Sequence, residues 1–462
     1  MMTVLSLTPI RLAGGLLLCL GWSFALPTLA ADDAALEPAD HSETQNGDIQ
    51  EERFSLHAQF TDVTQWHDNF HTRYSGPNSL TAGASRKTTN DITLFAGVRL
   101  WQGAELYVNP EIDQGFGLSN TLGVAGFPSG EAYKVGKTNP YWRWQRLFLR
   151  QTVDLGGETQ TVPADANQLA GTKTANNLVV TAGKFSVVDI FDTNAYAHDP
   201  RGDFLNWSIV DAGAFDYAAD AWGYSYGVAA EWTQDWWTVR AGLFDLSTTP
   251  NSPRLEKDFS QYALIGELEE RHRWLGHDGK LKVLGFVNRG RMASYDDAVH
   301  LAHSIRGVPD VAPARKFDSR PGMAINLEQS LGPGLGAFAR ASYNDGSKEA
   351  FDFTEINRSI SGGLALQGNR WNRPKDTVGL AVAVNGLSSE ARRYFDAGGL
   401  GILIGDGKLT HYRDEKILET YYAFNPNDHV GLSLDYQYIA NPAYNADRGP
   451  VSVLGLRVHL EY

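Results

Sequence analysis

The sequence predicts an all-β protein, a transmembrane antiparallel β-barrel of sixteen strands with short turns on one side and long loops on the other. Three observations lead there. Apolar and polar residues alternate with a period of two over stretches of about ten residues or more, long enough to cross a bilayer at a steep tilt. Sandwich strands are commonly about half that length. Aromatic residues gather at the ends of apolar faces, as in Trp222 with Trp232 and Tyr436 with Tyr438, the positions of interfacial girdles. Connections between stretches alternate between short and long, as barrel turns and loops do on opposite sides of an outer membrane.

The alternation begins at Arg53. Phe54, Leu56, Ala58 and Phe60 share one face, and Ser55, His57 and Gln59 the other. Ile92 to Leu100 repeats it with Arg99 opposite, and a tight Gln102-Gly103 turn leads into the next strand. There Leu106, Val108 and Ile112 oppose Glu105, Tyr107, Asn109, Glu111 and Asp113. Leu147, Leu149, Val153 and Leu155 then alternate with Arg146, Phe148, Arg150 and Thr152. The second half repeats the pattern, from Trp222–Trp232 through Val378–Val384 and Val430–Tyr438 to a last strand with Leu454, Leu456, Val458, Leu460 and Tyr462 on one face.

Strands are placed at 53–66, 89–101, 104–114, 143–155, 177–187, 221–233, 235–245, 259–270, 280–290, 319–330, 335–345, 358–367, 376–386, 413–424, 428–440 and 451–462. Eighteen strands are the alternative count. Ala212–Tyr217 is assigned to a loop, because an odd number would leave the termini on opposite sides. Long connections fall at 67–88, 115–142, 188–220, 245–258, 291–318, 346–357, 387–412 and 441–449. The segment 156–176 breaks the rule: it is long where parity requires a short turn.

The N-terminus reads differently. Residues 1–30 carry one basic residue, Arg11, an apolar core and then Pro27 and Ala30, the pattern of a cleaved signal peptide. Residues 31–52 hold eight acids and no basic residue, the composition of a flexible solvated tail. The barrel domain is then 53–462. The only cysteine of the sequence, Cys19, lies in the leader, so disulfides and thiolate metal sites are excluded. Removing Arg11 and the eight tail acids from 40 basic and 54 acidic residues leaves 39 against 46, a mild acidity that gives no reason to expect nucleic-acid binding.

Sixteen strands about 4.8 Å apart and tilted about 40° enclose a bore roughly 30 Å across, too wide for side chains to fill. Something must fold inward to narrow it. The run Ala182–Asp220 is the candidate, since it breaks from strand into about thirty residues rich in Asp, Asn, Arg and aromatics, and loops of that length are usually functional.

The segments RYSGPNSL (73–80), 95–136, RLFLRQT (146–152) and AGKFSVVDIFDTNAYAHDPRGDFLNW resemble the carbohydrate-selective, OprB-type porins. The resemblance runs from about residue 54 to the C-terminus. It implies an outer-membrane barrel of a Gram-negative cell that passes small neutral sugars by facilitated diffusion, without energy coupling. No enzymatic step is expected of such a channel, and the sequence has no phosphate-binding loop or dinucleotide fingerprint, so no cofactor is expected either. The chain departs from the pattern in ending in Tyr462 where Phe is commoner, at the strand that the barrel assembly machinery would read. It also lacks the long N-terminal helical region of some relatives, so no periplasmic domain is expected. Lipid and lipopolysaccharide are the expected surroundings, and monomer and homotrimer stay open.

Sugars offer ring faces and many hydroxyls, so selection calls for aromatic surfaces and fixed charged donors and acceptors. Arg99, Arg146 and Arg150 share inward parity with Glu105, Tyr107, Glu111 and Asp113 on neighbouring strands. Bracing of the barrel wall is the competing role for each. In the loop the candidates are Lys184, Asp192, Asp199, Arg201, Asp203, Asn206, Trp207 and Asp216, although Asp199-Pro200 and Arg201–Asp203 are also turn chemistry. The parity of Lys184 fits either face. His57, His71, His198 and His459 lack metal-ligand spacing, so no metal site is expected. Glu267, Glu269 and Glu270 read as a solvated strand end. A porin for organic acids or other small anions, needing a net positive eyelet, is the alternative, and an outer-membrane barrel hydrolase the third.

Overall fold

A computed structural model describes residues 51–353 and 355–462. Sixteen antiparallel strands close into one barrel, each paired with its sequence neighbours and the last with the first. They are β1 (Phe54–His67), β2 (Ser85–Trp101), β3 (Ala104–Gly115), β4 (Lys137–Val162), β5 (Gly171–Phe185), β6 (Ser225–Gln234), β7 (Trp237–Asp245) and β8 (Tyr262–Trp274). There follow β9 (His277–Ala293), β10 (Arg315–Gly332), β11 (Leu335–Asn344), β12 (Arg358–Gly368), β13 (Arg373–Gly386), β14 (Glu415–Phe424), β15 (Val430–Ala440) and β16 (Val451–Glu461). Phe60 opposite Leu460 closes the seam between β1 and β16. Closure removes the open sheet edge that hydrocarbon does not tolerate.

The period-two reading sets the two faces. Outward rows such as Leu380, Val382 and Val384 are exposed, while Ala381 and Ala383 between them are buried. Exposed aromatics form two belts. Trp101, Trp232, Trp236, Trp274 and Tyr462 lie beside the short turns, and Trp142, Trp144, Phe317, Tyr343 and Tyr438 beside the long loops. One expected member moves: Trp222 precedes β6, and its indole N–H donates to the Tyr141 hydroxyl at 3.0 Å on the loop side. The run Ala212–Tyr217 is loop, as its parity required.

The hydrophobic core lies inside the barrel and is built largely by loops. Phe191, Phe204, Phe215, Trp207, Phe351, Phe353, Phe395 and Tyr444 all pack within it. On the long-loop side α2 (Tyr295–Ile305) packs on α3 (Ser389–Asp396) through Tyr295 and Tyr394, whose rings lie 4.8 Å apart. The segment 156–176 continues β4 and β5 beyond the rim as a two-stranded ribbon, down to the pair Val162–Gly171. The expected leader and nearly all of the acidic tail lie outside the described residues. At the tail's end Glu52 donates its backbone N–H to the Ala170 carbonyl at 3.0 Å, so its last residue is held rather than free.

Candidate functional site

The long loop between β5 and β6, residues 186–224, folds into the lumen and lines the wall formed by β8–β16. Its peptide groups lack regular pairing, so wall side chains satisfy them, as buried backbone requires. Glu267 accepts the Asp192 N–H at 2.8 Å, Glu328 accepts that of Ala195 at 2.8 Å, and Glu419 accepts that of Asn206 at 3.1 Å. Arg457 donates to the carbonyls of Pro200, Gly202 and Asp203. Two ion pairs with both partners almost wholly buried pin the loop: Arg340 with Asp192 at 3.2 Å and Arg320 with Asp216 at 2.6 Å. Glu267 and Glu269 point inward onto Arg240 at 2.8 and 3.0 Å, instead of forming a solvated strand end. A helical turn, α1 (Trp207–Val210), is capped by the Asn206 side chain, which accepts from the Ser208 N–H.

This arrangement leaves free space against β2–β6. A lower cavity of about 970 Å³ runs from Arg99, Glu105 and Arg150 up to Asp189 and His198. An upper cavity of about 220 Å³ begins at those same two residues and is lined by Glu131, Lys134, Arg146, Arg201, Trp207, Asp211 and Tyr224. Both cavities are lined by Asp189 and His198, and the region around them is termed the waist. There Arg146 grips Asp189 with two hydrogen bonds, at 2.8 and 2.6 Å. Burial opposes charge on Asp189, but the Arg146 guanidinium outweighs it and holds the carboxyl below its ordinary range. His198 Nδ1 lies 3.9 Å from Asp211. Burial and then the nearby Arg340 hold the imidazole below its usual value, while burial and the Asp192 charge push Asp211 up to about 8.

The expected site residues separate into five groups. Arg99, Glu105, Tyr107 and Arg150 meet at the short-turn mouth: Arg99 pairs with Glu105 at 3.3 Å, and the Tyr107 hydroxyl donates to Glu105 at 2.7 Å. Arg150 lies over the Tyr107 and Phe148 rings. Arg146 stands alone among them at the waist. Glu111 and Asp113 lie deeper in the wall. Arg201 reaches that acidic wall from the loop, 3.2 Å from Asp91, 3.4 Å from Glu131 and 3.8 Å from Glu111. Trp207 is stacked between Phe127 and Phe353, with ring centroids 5.1 and 4.7 Å away, and the edge of this pile borders the upper cavity.

The rest sit at seams. Asp192, Asn206 and Asp216 face the wall. Asp199 and Asp203 close the turn around Arg201: the Asp203 N–H donates to the Asp199 carbonyl, and the Asp203 carboxylate accepts from the His198 N–H. Burial and then the Asp199 charge push Asp203 up to about 6. Lys184 pairs in register with the outward Leu147, and its ammonium turns to Asp220 at 3.0 Å. Arg143 shares that carboxylate at 3.0 Å. Sequence reasoning passed over Asp189, Asp211 and the segment Phe127–Lys134, because loop side chains carry no period. The signal available was a long loop, 115–142, in which aromatics alternate with Gly and Pro.

Comparison with known proteins bears on the fold and the family. The family model for carbohydrate-selective porins of the OprB family matches residues 78–462. No curated protein matches the chain. The high-pH structure of Pseudomonas putida OprB superposes with a TM-score of 0.68 at 16% identity, covering 89% of this chain and 94% of that one. The outer-membrane channel DcaP of Acinetobacter baumannii gives 0.49 at 9% identity, over 88% and 97% of the two chains. With its family match running from Asn78 to the C-terminal Tyr462, the chain belongs to the carbohydrate-selective porin family and is an outer-membrane β-barrel that passes sugars.

Proposed function

We propose that monosaccharides and small oligosaccharides cross through the two cavities and the waist between them, by facilitated diffusion and with no enzymatic step. One observation carries the reading: the two cavities have Asp189 and His198 as lining residues in common, beside an Arg146–Asp189 pair that presents fixed donors and acceptors. Charge-assisted hydrogen bonds to hydroxyls replace the water a sugar sheds there. The edge of the Phe127–Trp207–Phe353 pile offers an apolar surface for a ring face. The pairing of charges argues against the anion reading. Arg99 has Glu105 and Arg146 has Asp189, so neither presents a bare positive charge. Each barrel encloses its own path, so the reading holds for a monomer and for a homotrimer. The outer wall meets lipid and lipopolysaccharide, residues 1–30 act as a cleaved leader, and the strand ending in Tyr462 is the one offered to the assembly machinery.

Replacing Arg146 with Ala tests the waist. A hydrogen bond to a charged group contributes about 1.5–3 kcal/mol, so the sugar concentration that half-blocks the ion current should rise by about tenfold or more. Small-ion conductance should change far less. Unchanged sugar block would remove Arg146 from the path.

A further inference from the structure

The ribbon formed by the ends of β4 and β5 has no place in a minimal barrel, where short turns suffice on this side. Two-stranded ribbons are marginal in water by themselves, and residues 154–161 are all exposed. Its order must come from elsewhere. Gly156 and Gly157 both take positive φ, +105° and +90°, and the register shifts between Asp154 and Thr159. Bulges of this kind bend a strand. The bend brings the tip, residues 163–170, back across the mouth of the lumen.

The tip is fastened there. The Leu169 N–H donates to the Tyr107 hydroxyl at 3.1 Å, Arg150 donates to the Asn167 carbonyl at 2.8 Å, and Arg99 donates to the Ala170 carbonyl at 3.1 Å. The Leu169 side chain is buried with Tyr107, Phe148 and Phe185. Tip residues Asp165, Asn167 and Gln168 therefore help to line the lower cavity, whose opposite end is the waist. Arg99, Arg150 and Glu105 line the same cavity, so charged donors and an acceptor face the tip across it.

We infer that the hairpin tip is a second, exit-side constriction, and that the chamber between it and the waist is a binding site for a polyhydroxylated solute held by Arg99, Arg150, Glu105 and Asn167. The identity of the solute as a sugar rests on the function proposed above; the constriction does not. A solute crossing the channel thus meets two filters in series. The strand charges at the mouth serve both to hold the tip and to bind.

Two variants test this in planar bilayers. In the first, residues 157–174 are replaced by a two-residue Asn-Gly turn. Single-channel conductance should rise, and the sugar concentration for half-block should increase by about twofold to tenfold, because the Asn167 contact and the wall that closes the chamber are lost while Arg99, Glu105 and Arg150 stay. The second, Gln168→Cys, removes one exposed hydrogen bond within the tip, to the Pro163 carbonyl, and leaves the barrel strands unchanged. The only native cysteine, Cys19, lies in the expected leader. A bulky thiol reagent added on the short-turn side should cut the current in steps. Unchanged conductance in the first variant, or full current after complete labelling of the second, would overturn the constriction. Raised conductance with unchanged half-block would overturn the binding site alone. If the unmodified channel shows no sugar block at all, the sugar reading fails while the conductance and labelling results still decide the constriction.

Discussion

Arg146 and Asp189 at the waist are a pair that alternation along β4 half revealed. Inward parity placed Arg99, Glu105, Tyr107, Arg146 and Arg150 in the lumen, because one face of each strand meets lipid and the other cannot. Parity says nothing of Asp189, His198 and Asp211, which hang from a loop whose path is set by wall contacts distant in sequence. Nor did it separate anchors from lining: Asp192 and Asp216 read like Arg201 in the sequence, yet buried arginines claim the first two. Asp211 makes a residue-scale prediction. Its carboxyl is raised to about 8, so it is neutral at pH 7 and ionises as pH rises through that value. The stability it contributes is present below its ordinary range and lost through the same rise. Lys134, lowered to about 8 chiefly by burial, loses its charge over the same interval. Cation preference, read from reversal potentials, should therefore increase between about pH 7 and 9, and Asp211→Asn should remove a large part of that increase.

At the scale of elements, strands and long loops were legible to within a few residues, since each strand repeats one physical instruction. The exceptions are instructive. β4 and β5 overrun their expected ends because the ribbon beyond the rim is wet on both faces and shows no apolar row. β6 starts at Ser225 rather than 221 because Trp222 and Tyr224 continue its alternation while belonging to the loop. The inward loop holds its place through ion pairs more than through secondary structure. Arg320 is fully buried and donates to both Asp216 and Asn344, at 2.6 and 2.9 Å. Removing one partner of such a pair strands a buried charge and costs about 3–5 kcal/mol. Arg320→Ala should lower stability by that amount in urea unfolding from lipid vesicles, and raise current noise as residues 212–220 loosen. Equal stability would mean that the other anchors, Arg340 and Arg457 among them, hold the loop without Arg320.

The whole molecule is an inverted arrangement in which lipid covers the apolar wall and loops supply the core. Its sequence stated the fold class, because a closed barrel leaves a period of two on nearly every strand. It stated the family through contiguous segments. It did not state the path, which arises where a loop anchored to β8–β16 leaves room against β2–β6. The central claim is that this room passes sugars preferentially. Liposome swelling with the purified protein tests it most directly, by comparing glucose with a neutral non-sugar of similar size. The waist chemistry predicts faster swelling in glucose, with the difference reduced in Arg146→Ala. Equal rates for the two solutes in the unmodified protein would contradict it.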